Sequence, residues 1–287
     1  MVLAPPLSRC RTPRAVRCLL LVALGASCQT QPTAPPSASA PHAAAPRPGK
    51  TEGAPSSAQA DPRDGASDPF SGSAEVTHVV EFCTAGGGAG ERLPLLVALH
   101  GIGDRPESFA ALFRDLPVPA RVMVPEALDR YHDGFSWFPI DLWKPDPERV
   151  AQGVRRAGDV LGRSIERWLR ERPTRGKPVV VGYSQGGMLT FELAVHHPEL
   201  VQTAIAAAGW LPPPLVPTVR PSVPTPPILA LHGEDDELLP IQPTRASVAA
   251  LQSLGYSVEL VSFAHTAHHM SPEMKAELER RVALALR

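Results

Sequence analysis

Cysteine is scarce where a disulfide would matter. Of four Cys, three (Cys10, Cys18 and Cys28) fall in the first 28 residues. Cys83 alone lies in the region that reads as folded, so that region cannot close an internal disulfide. No CxxC pair occurs, which argues against a thiolate zinc site. A dominant charge is lacking too. The 28 basic and 29 acidic residues leave a net charge of −1, so nothing draws the chain to nucleic acid or to an anionic membrane surface. No apolar run approaches the ~20 residues that span a bilayer, and there is no internal repeat. Large apolar residues are almost missing from residues 29 to 69, where Ala, Pro, Ser and Gly dominate. Such a stretch cannot bury enough surface to offset its ordering entropy.

What is present divides the 287 residues into three parts. In residues 1–28, Arg9, Arg11, Arg14 and Arg17 precede the short apolar run Cys18–Leu24 and the small residues Gly25, Ala26 and Ser27. This is the pattern of an export signal. Cys28 follows directly and resembles the cysteine of a bacterial lipoprotein signal. It is therefore the candidate for lipid attachment, and so for a membrane tether. Residues 29–72 read as a semi-extended Pro/Ala/Ser-rich linker. Residues 73–287 read as one domain, and the 43% hydrophobic content permits a sizeable core.

In that domain, strand and helix patterns alternate. Strands are expected at Glu75–Phe82, Leu93–Leu99, Arg121–Val124, Lys177–Val181, Val201–Ala208, Ile228–Leu231 and Ser257–Phe263. Helices are expected at Arg105–Asp115, from Asp146-Pro147 onward, after Ser184 to about His196, at Thr244–Leu254 and at Pro272–Arg287. Leu93–Leu99 (LPLLVAL) is an unbroken apolar run, as in a strand buried on both faces. Asp146-Pro147 is a helix start with an acidic N-cap and Pro in the first turn. The alternation implies a mainly parallel sheet with helices on both faces.

The sharpest chemical signal is Gly182-Tyr183-Ser184-Gln185-Gly186-Gly187. It contains G-x-S-x-G after an apolar strand and before a helix, the context of a nucleophile elbow. A Ser hydroxyl needs a base within hydrogen-bond reach, and in this topology the acid and the His follow the Ser along the chain. Glu234, Asp235 and Asp236 cluster after the strand Ile228–Leu231, at the strand end where α/β sheets place their sites. His265, His268 and His269 follow the last strand, and one of them is the expected base. A three-His metal site is disfavoured, because this stretch precedes the final helix and lacks helical spacing. For acyl transfer, two backbone N–H donors should face the oxyanion. Gln185, after the nucleophile, is one; Ile102, in the loop His100-Gly101-Ile102-Gly103-Asp104, is the other.

These motifs resemble the phospholipase/carboxylesterase family of α/β hydrolases. Leu99–Asp104 (LHGIGD) is similar to its LHGxGD, and GYSQGG to its GFSQGG. His232–Pro240 (HGEDDELLP) is similar to HGxxDxxVP, a register that selects Asp236 over Asp235. His268–Glu273 is similar to H-x-x-x-P-E, which selects His268 over His265. Ser136-Trp137-Phe138 and Ala208–Pro212 (AGWLP) resemble segments near the substrate. The resemblance thus implies an α/β-hydrolase fold with a minimal cap or none. It implies a Ser184–His268–Asp236 triad, and substrate contacts from Trp137, Phe138, Trp210 and Leu211. Neither metal nor cofactor is expected. The partner is a small ester: a short-chain acyl ester or a lysophospholipid, with a polyester or feruloyl ester as the alternative. A non-catalytic binding protein on the same fold is the rival class. The sequence departs from the pattern at Pro139, where the family usually has Asp, at Ala267, often Gly, and in the Pro-rich loop Pro212–Pro227.

Overall fold

The computed structural model describes residues 75–141 and 144–287. The leader, Cys28 and the linker 29–72 lie outside the described residues. Nine strands and five α-helices are found among those described: β1 Val79–Cys83, β2 Leu93–Leu99, α1 Pro106–Ala110, β3 Arg121–Pro125, β4 Asp129–Tyr131, β5 Gly134–Ser136, α2 Pro147–Glu171, β6 Thr174–Tyr183, α3 Gln185–His196, β7 Thr203–Ala207, β8 Ile228–Gly233, α4 Ile241–Ser253, β9 Val258–Phe263 and α5 Pro272–Ala285. Seven strands form the main sheet in the order β1-β3-β2-β6-β7-β8-β9. Every neighbouring pair is parallel except β1 with β3. β4 and β5 form a separate antiparallel hairpin.

β2 shows why an unbroken apolar run marks a central strand. All seven of its residues are buried. Leu95, Val97 and Leu99 point into one core, with Val154, Leu161, Ile165 and Trp168 of α2 and with Met188 and Phe191 of α3. Leu96 and Ala98 point into the other, with Phe109 of α1 and Met274, Leu278 and Val282 of α5. The period-two alternation of a strand thus feeds two layers at once. Fully burying a side chain such as Leu161 or Ile165 contributes about 1.5–3 kcal/mol, so α2 is held by its inner stripe. Its start is also as read from the sequence. Asp146 Oδ1 accepts from the N–H groups of Glu148 and Arg149 at 3.0 and 3.4 Å, satisfying two first-turn donors.

The structure differs from the sequence reading at several edges. Pairing of β1 begins only at Val79, because Val76 is spent on burial against the first core and Glu126 N–H bonds His78 O before the ladder starts. α1 is a single turn that tightens into a 3-10 turn over Ala111–Phe113. β6 begins three residues early, where Thr174 pairs with Leu93. The β4–β5 hairpin was not expected at all. Strands of three residues are too short to show a period, although Asp133-Gly134 is a hairpin turn signal.

Candidate active site

Ser184 sits between the end of β6 and the first residue of α3, with φ 56 and ψ −117. Such backbone angles are strained for a side chain with a Cβ, by about 1–3 kcal/mol. Two close approaches enforce the turn. A Cβ on Gly182 would lie 2.1 Å from Gly186 O, and one on Gly186 would lie 2.0 Å from Leu99 O. Ser184 N–H is tied to Ala207 O at 2.9 Å, which fixes the elbow to the next strand. The hydroxyl is thereby left standing at the C-terminal rim of the sheet.

Two distant loops bring their side chains to it. His268, from the loop after β9, places Nε2 3.1 Å from Ser184 Oγ. Its Nδ1 lies 2.7 Å from Asp236 Oδ2. Asp236 follows β8, is buried, and accepts Leu239 N–H on Oδ1 at 2.8 Å. Burial pushes its carboxyl up, but hydrogen bonds from His232, His268 and Leu239 N–H outweigh that and hold it well below the usual carboxylate range. Asp236 is therefore an anion that orients His268 with Nδ1–H toward itself and a free lone pair on Nε2 toward the Ser. Asp235 and His265 form a separate, exposed pair at 3.6 Å. Tyr183 packs its ring 5.4 Å from that of His268. Burial, and then the Asp236 charge, push its phenol up, so it faces the imidazole as a neutral group.

The early loop is held by the hairpin. Gly103 N–H donates to Phe135 O at 2.8 Å, and Phe135 N–H to Asp104 O at 3.1 Å. Ser184 N–H and Gly103 N–H are thus occupied. Among the described residues, the N–H groups of Ile102 and Gln185 make no turn or loop hydrogen bond. Acyl transfer requires two such donors for the developing oxyanion.

Residues 87–284 match the model of the family described as Phospholipase/Carboxylesterase. The chain belongs to that family. Among its relatives is a protein assigned as an esterase, NocK of Nocardia uniformis subsp. tsuyamanensis. It is 29% identical over 170 residues, which are 58% of this chain and 46% of that protein. The chain spans about half the length of the first curated relatives it matches. Two solved structures share the fold at 22% identity. Esterase PE8 has a TM-score of 0.62, with 72% of this chain and 98% of that one covered. Acyl-protein thioesterase 2 of Zea mays has 0.59, with 73% and 99% covered.

Within this member of the phospholipase/carboxylesterase family, the residues expected near the substrate are more deeply set than a binding wall suggests. Trp137 and Phe138 are buried in the first core, and Trp137 Nε1–H donates to His100 O at 2.9 Å. Trp210 and Leu211 are buried too, and Leu211 is pinned by Ser247 Oγ, which its N–H reaches at 3.2 Å. The side chain of Gln185 has a part the sequence did not reveal. Its Oε1 accepts Trp137 N–H at 3.0 Å and its Nε2–H donates to Phe138 O at 2.8 Å. The residue after the nucleophile therefore braces the Trp-Phe segment against the elbow. His232 and Thr244, behind Asp236, were missed as well. His232-Gly233 was legible as part of a motif, but nothing local gave the His a contact.

Proposed function

We propose that this chain is an exported serine carboxylesterase acting on short-chain acyl esters. The observation that carries the reading is the continuous array Ser184 Oγ to His268 Nε2 at 3.1 Å and His268 Nδ1 to Asp236 Oδ2 at 2.7 Å. In this proposal Ser184 attacks the ester carbonyl while His268 takes its proton, and Asp236 stabilises the imidazolium that forms. The N–H groups of Ile102 and Gln185 hold the oxyanion. His268 then protonates the leaving alcohol, and water activated by the same imidazole hydrolyses the acyl-enzyme. The chemistry uses side chains and backbone only. The expected export signal fits an ester met outside the cytosol, and a lipid on Cys28 would tether the enzyme to the envelope. Palmitate labelling in cells, lost in Cys28→Ala, tests that tether.

Turnover of p-nitrophenyl acetate and butyrate by Ser184→Ala tests the enzyme reading. The expected loss in kcat is on the order of 10⁴-fold or more, with an unchanged circular-dichroism spectrum. His268→Ala should lose nearly as much, and His265→Ala little. Undiminished activity in Ser184→Ala removes the assignment. A chain that fails to react with a fluorophosphonate probe would instead be a binding protein on a hydrolase fold. A feruloyl or polyhydroxybutyrate substrate turned over faster than the short esters would favour the polyester or feruloyl reading.

A further inference from the structure

Ile102 N–H, the proposed oxyanion donor, belongs to a peptide that the chain leaves soft and then ties down. Gly101 lies against the elbow: a Cβ built on it would sit 3.3 Å from Ser184 Cβ and 3.4 Å from Tyr183 Cδ1. A glycine suits that approach, but it also leaves the following peptide free to turn over. The Gly101 carbonyl and the Ile102 N–H belong to one planar trans unit and point in opposite directions. Whatever holds Gly101 O therefore sets where Ile102 N–H is aimed.

Two donors hold it. Asp104 N–H reaches Gly101 O at 3.3 Å, which is long for such a bond. His100, fully buried after β2, places Nδ1 at 2.8 Å. A carbonyl can only accept, so Nδ1 carries a proton. Burial pushes the imidazole below its ordinary value, against the bond to Gly101 O and the Asp104 and Glu107 charges. The ring is therefore neutral at neutral pH, with its lone pair on Nε2. That nitrogen is buried and has no hydrogen-bond partner among the described residues. The ring is itself held in place. It packs against Trp137, with ring centroids 5.5 Å apart, and Trp137 Nε1–H fixes His100 O at 2.9 Å. Two successive carbonyls of the loop are thus fixed by side chains.

We infer that His100 is a positioning residue: its Nδ1–H locks the Gly101–Ile102 peptide and so keeps Ile102 N–H aimed at the oxyanion formed when Ser184 attacks. The inference rests on the esterase reading above. A donor held in one orientation before the reaction stabilises developing charge without reorganisation. Without Nδ1–H, only the long Asp104 bond opposes rotation of the peptide. The ester carbonyl in the ground state accepts more weakly than the oxyanion, so the loss falls on kcat more than on KM.

Three replacements in the full chain test this. Asparagine places an amide nitrogen where Nδ1 stood, glutamine places its own where Nε2 stood, and leucine has no donor. His100→Leu and His100→Gln should lower kcat for p-nitrophenyl butyrate by about 10- to 100-fold, with KM changed by less than about threefold. His100→Asn should recover most of that loss, although its small polar side chain makes it less stable to urea than His100→Leu. An alkyl trifluoromethyl ketone, whose carbonyl is attacked by the serine to leave an oxyanion, should inhibit His100→Leu more weakly by the same factor as kcat/KM falls. Activity that follows urea stability across the three variants, a loss confined to KM, or wild-type kcat in His100→Leu overturns the inference. If His100→Leu does not fold, the other two decide, and equal activity in His100→Asn and His100→Gln overturns it. A wild-type chain that neither hydrolyses the ester nor reacts with a fluorophosphonate marks failure of the esterase reading itself, seen before any variant is made, and removes this inference with it.

Discussion

At the C-terminal ends of the parallel strands, polar groups are buried and the backbone is bent. Ser184, Ala208 and His265 follow β6, β7 and β9, and all three have positive φ without being glycine. Ser184, Gln185, His232, Asp236 and Thr244 are buried there and hydrogen-bonded to one another or to the chain. The opposite ends of β7, β8 and β9 are built from other material. A cavity of about 300 Å³ opens there between Thr203, Ile228, Val258 and α5. Its charges sit in solvent-facing pairs, such as Arg281 with Glu259 at 2.6 Å. Glu277 on α5 is held down to about 2 by hydrogen bonds from Arg280, aided by Arg281, on the surface of the same helix. Strands β7 to β9 thus run from an end where charge is paired in solvent to a strained, polar rim. Strain and buried polarity collect where they position a reacting group.

Predictions that would break or sharpen this contrast fall in a descending series. Asp236→Asn keeps the shape of the array but removes the anion that sets the His268 tautomer. The expected fall in kcat is about 10³–10⁴-fold, read by steady-state kinetics; a loss under tenfold would make the polar rim ordinary. Gln185→Ala strips the brace from Trp137 N–H and Phe138 O. Leaving those buried groups unpaired should cost about 1–3 kcal/mol each, seen by urea unfolding, with kcat reduced because the segment beside the elbow loosens.

The next effect is on pH. Asp236 has a folded value below its unfolded 3.8, so its stabilisation is present above about that pH and is lost as pH falls further. His100 is pushed below 6.5 by burial, against the hydrogen bond to Gly101 O and the nearby Asp104 and Glu107. The unfolded chain then takes up that proton first, and stability should decline as pH falls through 6.5. Unfolding midpoints measured from pH 8 to pH 3 should show both declines; a flat profile contradicts them. The smallest effect belongs to the end where charge is paired in solvent. Arg281→Ala should cost under about 1 kcal/mol and leave turnover within twofold. A large loss of activity would show that the two ends are coupled.

How far the chain could be read follows from the range of each signal. β2, α2, α3 and α5 were legible because burial repeats along them at period two or 3.6. The elbow was legible because glycines at two fixed offsets and a Ser between strand and helix are a local demand. The β4–β5 hairpin was not, since its bonds to Gly103 and Asp104 join segments about thirty residues apart and three-residue strands carry no period. The burial of Trp137 and Phe138 was equally hidden. Their segment resembles a substrate-side motif, but only the packing of α2 and the reach of the Gln185 side chain show that the rings face inward. Residues alone left three carboxylates and three histidines as candidates. Resemblance chose Asp236 and His268, and the structure brings that pair to Ser184 while leaving His265 exposed.

By itself, the order of residues determined the α/β layering, the family and the stations along the chain from which Ser, Asp and His come, because these are properties of neighbours a few positions apart. Only the tertiary structure decided which nitrogen meets which oxygen and which aromatic rings turn inward. It also decided that Asp236 lies between two histidines. Those outcomes depend on loops from β6, β8 and β9 arriving together at one rim. The distance between them is set by how the sheet twists and packs, which no short stretch of sequence contains.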